Sequence, residues 1–135
     1  MANIKEYKRD FLNSILDRFF DEVNEIPIKF PIDLKETEDS FILQMEVPGI
    51  NKEDIIIETQ NNILKIYGEK KEEKREEEDN VIYSEIKYGK FERQFRLPDI
   101  ADADKIDAIY QNGILKIVIP KKEEKKPKKI SIKVK

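Results

Sequence analysis

Gln60–Glu73 reads QNNILKIYGEKKEE, and Gln111–Glu124 reads QNGILKIVIPKKEE. The chain writes nearly the same sentence twice, and how that sentence is parsed decides the fold. Each copy splits into two β-rich runs around a two-residue joint: IIIETQ and ILKIYGE around Asn61-Asn62, IDAIYQ and ILKIVIP around Asn112-Gly113. Asn-Gly is the strongest short hairpin signal, because a type I′ turn needs positive φ at both central residues. Asn-Asn is a weaker form of it. Two-residue loops fix register, so the Ile and Leu rows land on defined faces. A similar hairpin placed twice predicts two facing sheets, each holding one pair of strands. Duplication and convergence both account for the repeat. The intervening segments do not match, which favours convergence.

Working outward, a period of two holds from Pro31 onward. SFILQMEV places Phe41, Leu43, Met45 and Val47 on one face. Pro48-Gly49 suits a type II turn. NKED reads as one capped turn, with Asn51 as cap. KFERQFRL alternates again, with Phe91, Arg93, Phe95 and Leu97 on one side, and Pro98 ends it. DIADADKI is a connection with room for a helical turn. EKKEEKREEEDN is read as a solvated loop. Its (i, i+4) pairs, such as Glu69–Glu73 and Lys71–Arg75, are like-charged and oppose a helix. Val81–Tyr83 is expected as a short strand beyond it.

The two ends differ from the middle. DFLNSILDRFFDEV has helical spacing in Leu12, Ile15, Leu16, Phe19 and Val23, broadened by Phe11 and Phe20, with Asp10 as a candidate cap. Pro27 and Pro31 interrupt the chain after it, so residues 1–30 are read as a partly helical arm outside the main domain, its apolar stripe either packed on the sandwich or left as a partly exposed sticky surface. Residues 31–120 are the domain, and 121–135 an extended tail. That tail holds eight lysines against two glutamates, then Ile130, Ile132 and Val134 at alternate positions. In an extended strand all three point the same way. The arrangement predicts docking, on this domain as an edge strand or on another copy as an oligomer contact.

Composition narrows the chemistry. The chain has 135 residues, 41% of them charged, with 26 basic against 29 acidic. A near-balanced charge argues against a general nucleic-acid binder, and no aromatic residue interleaves with the tail lysines. Cysteine and histidine are absent, which removes thiolate chemistry, the usual general base and the commonest metal ligand. No phosphate-cradling glycine motif and no calcium loop occurs, so no nucleotide, metal or other cofactor is expected. No run approaches the ~20 apolar residues of a membrane span. The start shows no signal-peptide pattern, and a cytoplasmic protein is the reading.

Taken in order, PIDLKETEDSFILQMEVPGINKEDI, YGKFERQFRLP, AIYQNGILKIVIPK and the terminal ISI resemble the small heat-shock proteins, built on the α-crystallin domain. The resemblance covers about Pro31 to Pro120 and the tail. It implies an all-β fold: an antiparallel, immunoglobulin-like sandwich with a short helical arm before it. The family signature A-x-x-x-n-G-x-L falls on Ala108, Asn112, Gly113 and Leu115. The family's I-x-I anchor falls on Ile130 and Ile132, with Val134 beyond. The implied groove lies between the strands opening the two hairpins, with Ile55, Ile57 and Ile109 as lining. The implied dimer pairs Val81, Ile82 and Tyr83 of one copy with Ile32 and Leu34 of another, with Arg93 nearby. SEIKYG departs from the arginine-rich pattern of many relatives.

The resemblance implies a chaperone that needs no ATP, a holdase for partly unfolded proteins, assembled from dimers. Phe11, Leu12, Ile15, Leu16, Phe19 and Phe20 would be its client-binding arm. A CS-domain adaptor, with a related sandwich, is the second reading; it predicts a monomer and leaves the tail unexplained. A carboxylate hydrolase is the third. Without histidine the chain's serines lack an activating base, and its many acids read as surface, so no enzyme activity is expected.

Overall fold

The computed structural model describes residues 9–11, 13, 28–73, 80–123 and 128–134. The described residues form seven strands: β1 (Ile32–Glu36), β2 (Ser40–Glu46), β3 (Ile55–Gln60), β4 (Ile63–Lys70), β5 (Gly89–Arg96), β6 (Asp107–Gln111) and β7 (Ile114–Pro120). They form a four-stranded sheet in the order β1-β2-β7-β6 and a three-stranded sheet in the order β3-β4-β5. Every pairing is antiparallel. The repeated sentence is thus one hairpin per sheet.

Both joints adopt the backbone the sequence demands. Asn61 and Asn62 have φ of 53° and 62°, and Asn112 and Gly113 have 56° and 77°. The left-handed region costs a residue with a Cβ about 1–2 kcal/mol, and asparagine offsets part of this because its short polar side chain hydrogen-bonds locally, as alanine cannot. Asn112→Ala should lower stability by a fraction of that, roughly 0.5–1 kcal/mol, read as a reduced denaturant midpoint at unchanged m-value.

The shared word ILKI does the same work in each sheet. Leu64 and Ile66 are buried from one side, Leu115 and Ile117 from the other. With the β2 row (Phe41, Leu43, Met45 and Val47) and Phe91, Phe95 and Leu97 from the β5 strip they close one core. Gly68 follows on the inner row of β4, at the place Ile119 fills in the second copy.

Two side chains set how the sheets lie over each other. Arg93 is buried, and its Nη1 donates to the carbonyl oxygen of Phe30 at 3.1 Å. Its guanidinium lies 5.5 Å from the Phe95 ring centroid, while Phe30 meets Phe91 edge-on at 5.0 Å. These contacts bring β5 beside the chain entering β1. On the opposite side, the Tyr110 hydroxyl of β6 lies 2.7 Å from the Val47 oxygen and 3.1 Å from the Ile50 oxygen. That segment leads through a 3-10 turn (Lys52–Asp54) into β3. One flank of the sandwich therefore carries β1 and β5, and the other carries β6 and β3.

Several expectations are corrected. Asn51 stands at the head of the Lys52–Asp54 turn, but its backbone carbonyl, not its side chain, takes the Asp54 N–H at 2.9 Å. By contrast, the helical turn expected in DIADADKI is present, as a 3-10 turn (Ala103–Lys105) capped by the Asp102 side chain. Arg9 and Asp10 are both already helical, so Asp10 is not a cap. Of the two readings of the arm's stripe, Phe11 follows packing on the sandwich: it is buried, with ring centroids 5.9 Å from Phe41 and 6.5 Å from Phe95. Leu12, Ile15, Leu16, Phe19 and Phe20 lie outside the described residues. Val81–Tyr83 forms no strand: the chain bends at Ile82, and among the described residues no strand edge pairs with it.

The root of the tail is clasped. The Lys121 N–H donates to Asp39 and the Lys122 N–H to Ile100, at 2.8 and 2.7 Å. Lys121 Nζ reaches Glu36 at 2.8 Å and sits 5.3 Å from the Phe41 ring centroid.

Candidate assembly surfaces

An edge strand presents unpaired backbone donors and acceptors, and proteins cover, twist or charge such edges. Within this chain the edges are β1 and β6 of one sheet, β3 and β5 of the other. Each flank of the sandwich thus pairs one edge from each sheet.

On the β3–β6 flank, side chains alternate. Ile55 and Ile57 of β3 are half-buried and pack against the core, while Ile56 is turned outward. On β6, Tyr110 faces inward and stands opposite Leu115, and Ala108 stands opposite Ile117. Ala108 and Tyr110 therefore share the inner row. Ile109 pairs with Lys116 on the outer face and is 59% exposed. A period of two therefore sets Ile109 on the opposite row from Ala108 and Tyr110. The inward rows at this flank are Ile55 and Ile57 on β3, and Ala108 and Tyr110 on β6. Tyr110 was legible in principle. A two-residue loop at 112–113 makes Tyr110 face Leu115 and so share its side of the sheet.

The outer face of the smaller sheet is polar. Lys65 pairs with Glu92 at 3.3 Å and lies 4.7 Å from the Tyr67 ring centroid. The Tyr67 hydroxyl donates to Glu58 at 2.7 Å, and that bond holds its pKa above the ordinary 10.0. At the head of β3, Lys71 reaches Asp54 at 3.0 Å, which raises the lysine above its usual 10.5. Among the described residues no cluster of His, Cys, Asp or Glu is arranged to hold a metal ion.

On the β1–β5 flank, Ile32 and Leu34 are partly buried against the core along the β1 edge. Val81, Ile82 and Tyr83 are 49%, 97% and 78% exposed. Arg93 turns inward and holds Phe30, the residue two before β1. Its effect on the edge passes through the backbone it fixes. Ile130, Ile132 and Val134 extend into solvent, 88%, 91% and 96% exposed. No described helix is long and apolar enough to cross a membrane.

Comparison with known proteins agrees with this architecture. The model of the Hsp20/alpha crystallin family matches residues 33–135. Small heat shock protein C2 of Rickettsia felis is 40% identical over 134 residues, covering 93% of this chain and 87% of the relative. The 18.2 kDa class I heat shock protein of Medicago sativa is 36% identical, covering 87% of this chain and 75% of the relative. Heat shock protein 16.0 from Schizosaccharomyces pombe superposes with a TM-score of 0.67 at 36% identity, over 78% of this chain and 99% of that one. A small heat-shock protein from Xylella fastidiosa, described as having a distinct high order structure, gives 0.66 at 37% identity, over 79% and 98%. With its paired hairpins, its two-sheet sandwich and these relatives, the chain belongs to the Hsp20/alpha crystallin family, the small heat shock proteins, whose members are generally chaperones.

Proposed function

We propose that this chain is an ATP-independent holdase of the cytoplasm, built from dimers that assemble further through their tails. The observation that carries the reading is the tail. Three branched aliphatic side chains stand almost fully in solvent, on a chain whose sandwich leaves an apolar lining at an open flank. Burial of such side chains is favourable by roughly 25 cal/mol per Å². The tail of a second copy would fill the β3–β6 groove over Ile55, Ile57, Ala108 and Tyr110.

Dimers would form at the other flank, where residues 81–83 of one copy add to the β1 edge of another. β-Strand addition of this kind draws affinity from main-chain hydrogen bonds and specificity from alternate side chains. Residues 1–30 would act as the arm that holds client proteins, 31–120 as the sandwich and 121–135 as the anchor. Within the arm, Leu12, Ile15, Leu16, Phe19 and Phe20 would hold exposed apolar segments, with Phe11 joining once it leaves the Phe41–Phe95 slot. Holding needs no nucleotide, only mass action in favour of the bound client. The family is non-enzymatic, in line with a chain lacking histidine and cysteine.

The test is a heat-labile client, such as citrate synthase, warmed with the full-length chain. Light scattering should stay near baseline at about one chain per client, without added ATP. Scattering equal to that of the client alone would overturn the proposal.

A further inference from the structure

The connection between β5 and β6 is acidic. Asp99, Asp102, Asp104 and Asp107 share their stretch of sequence with one lysine, Lys105, and the backbones of Lys121 and Lys122 run alongside at Ala101 and Ile100. Asp102 is committed locally, accepting the Asp104 N–H at 3.2 Å. Asp99, Asp104 and Asp107 are exposed. The carboxylates of Asp104 and Asp107 form no ion pair among the described residues. The chain's own Lys121 is turned to Glu36.

This connection borders only one mouth of the β3–β6 groove. Tyr110, late in β6, reaches the segment that leads into β3. At the far end of β3, the Asn62 oxygen takes the Leu97 N–H at 2.7 Å, and Leu97 leads into the acidic connection. The two strands therefore run in opposite senses, and the start of β6 lies toward the end of β3. The mouth where β3 begins is balanced: Glu53 and Asp54 stand with Lys52 and Lys71, and Lys71 holds Asp54.

The tail is lopsided in the complementary way. KKPKK, residues 125–129, places four lysines just before Ile130. Only Lys133 and Lys135 lie among or beyond the apolar positions. Resting on the reading that a second copy's tail fills the groove, we infer that the Asp99–Asp107 connection is the receptor for the 125–129 lysine cluster and fixes the direction of the tail. Ile130 then lies at the Asp107 end and Val134 toward Tyr110, parallel to β6. In this direction the alternation carries Lys129 outward, and Asp107 stands on the outer row of its strand, opposite Val118. The reverse direction would set the four-lysine cluster against the balanced mouth. Exposed pairs of this kind act within a Debye length, about 10 Å at 0.1 M salt, and weaken as salt rises.

The test uses the full-length chain and reads the protein concentration at half-dissociation by native mass measurement, at about 50 mM and about 500 mM salt. D104K/D107K and K128E/K129E should each raise that concentration about tenfold at low salt, and much less at high salt. Combining the four substitutions should restore it to within about threefold. Adding K133E to D104K/D107K should not restore it. Rescue by K133E instead would overturn the direction, and no effect of either double variant would overturn the charge pairing. An I130A/I132A chain separates this from the docking reading itself: if that chain stays assembled, the groove is not the tail's site. Circular dichroism should show an unchanged β spectrum in every variant, since all the charged positions are exposed.

Discussion

A version of the chain ending at Lys129 should leave a size-exclusion column as a dimer, while the full-length chain elutes as a large assembly. The deletion removes Ile130, Ile132 and Val134, the three exposed apolar residues of the tail, and touches no strand. Burying an aliphatic side chain of this size contributes about 1.5–3 kcal/mol. Two or three of them per tail supply roughly 5 kcal/mol before ordering costs, and every 1.4 kcal/mol is tenfold in affinity. Losing all of that at each contact should move assembly beyond micromolar concentrations. Ile130→Ala with Ile132→Ala should act in the same direction and nearly as far. The dimer should survive both, because its proposed contact is on the β1–β5 flank. A full-sized particle from the shortened chain would end the account of how copies associate.

Gly68→Ala should be the most damaging single substitution in the sandwich. Gly68 sits on the inner row of β4, paired with Ile55 on one side and Phe91 on the other. A Cβ built there would collide with the backbone oxygen of Asp54 and come within 3.0 Å of the Phe91 ring. The first obstacle is a carbonyl in the 3-10 turn that opens β3, so no side-chain rotation relieves it. Overpacking of this kind costs about 1–3 kcal/mol and occasionally more, and the upper end is expected here. For a domain of about 100 residues that lowers the melting temperature by on the order of 15 °C. Relief would come by pushing the start of β3 away, which also displaces Ile55 from the groove. Tail binding should weaken together with stability. A melting curve unchanged by Gly68→Ala would mean that the Asp54 carbonyl moves freely, and that β3 is not held as described.

The Gly68 position shows where reading along the chain stops. The two repeated stretches align Gly68 with Ile119, and nothing local says why one copy has a bulky core residue and the other has none. The answer is a turn from elsewhere in the chain, whose carbonyl already fills that space. Arg93 is similar. Its alternation with Phe91 and Phe95 marked it as inward-facing, but its use, a donor to the Phe30 carbonyl, depends on a residue 63 positions away.

The strands, both hairpins and the inward rows are written in the order of residues alone. Those follow from a period of two and from positive-φ joints, which act over neighbouring residues. That order also marks the I-x-I-x-V tail as apolar out of place. Which strand edges stay open, and the seat of Phe11 between Phe41 and Phe95, were settled by the folded whole. These depend on which distant strands pair and which faces meet. Local propensity is nearly indifferent among such pairings, and the packing of the whole core selects one.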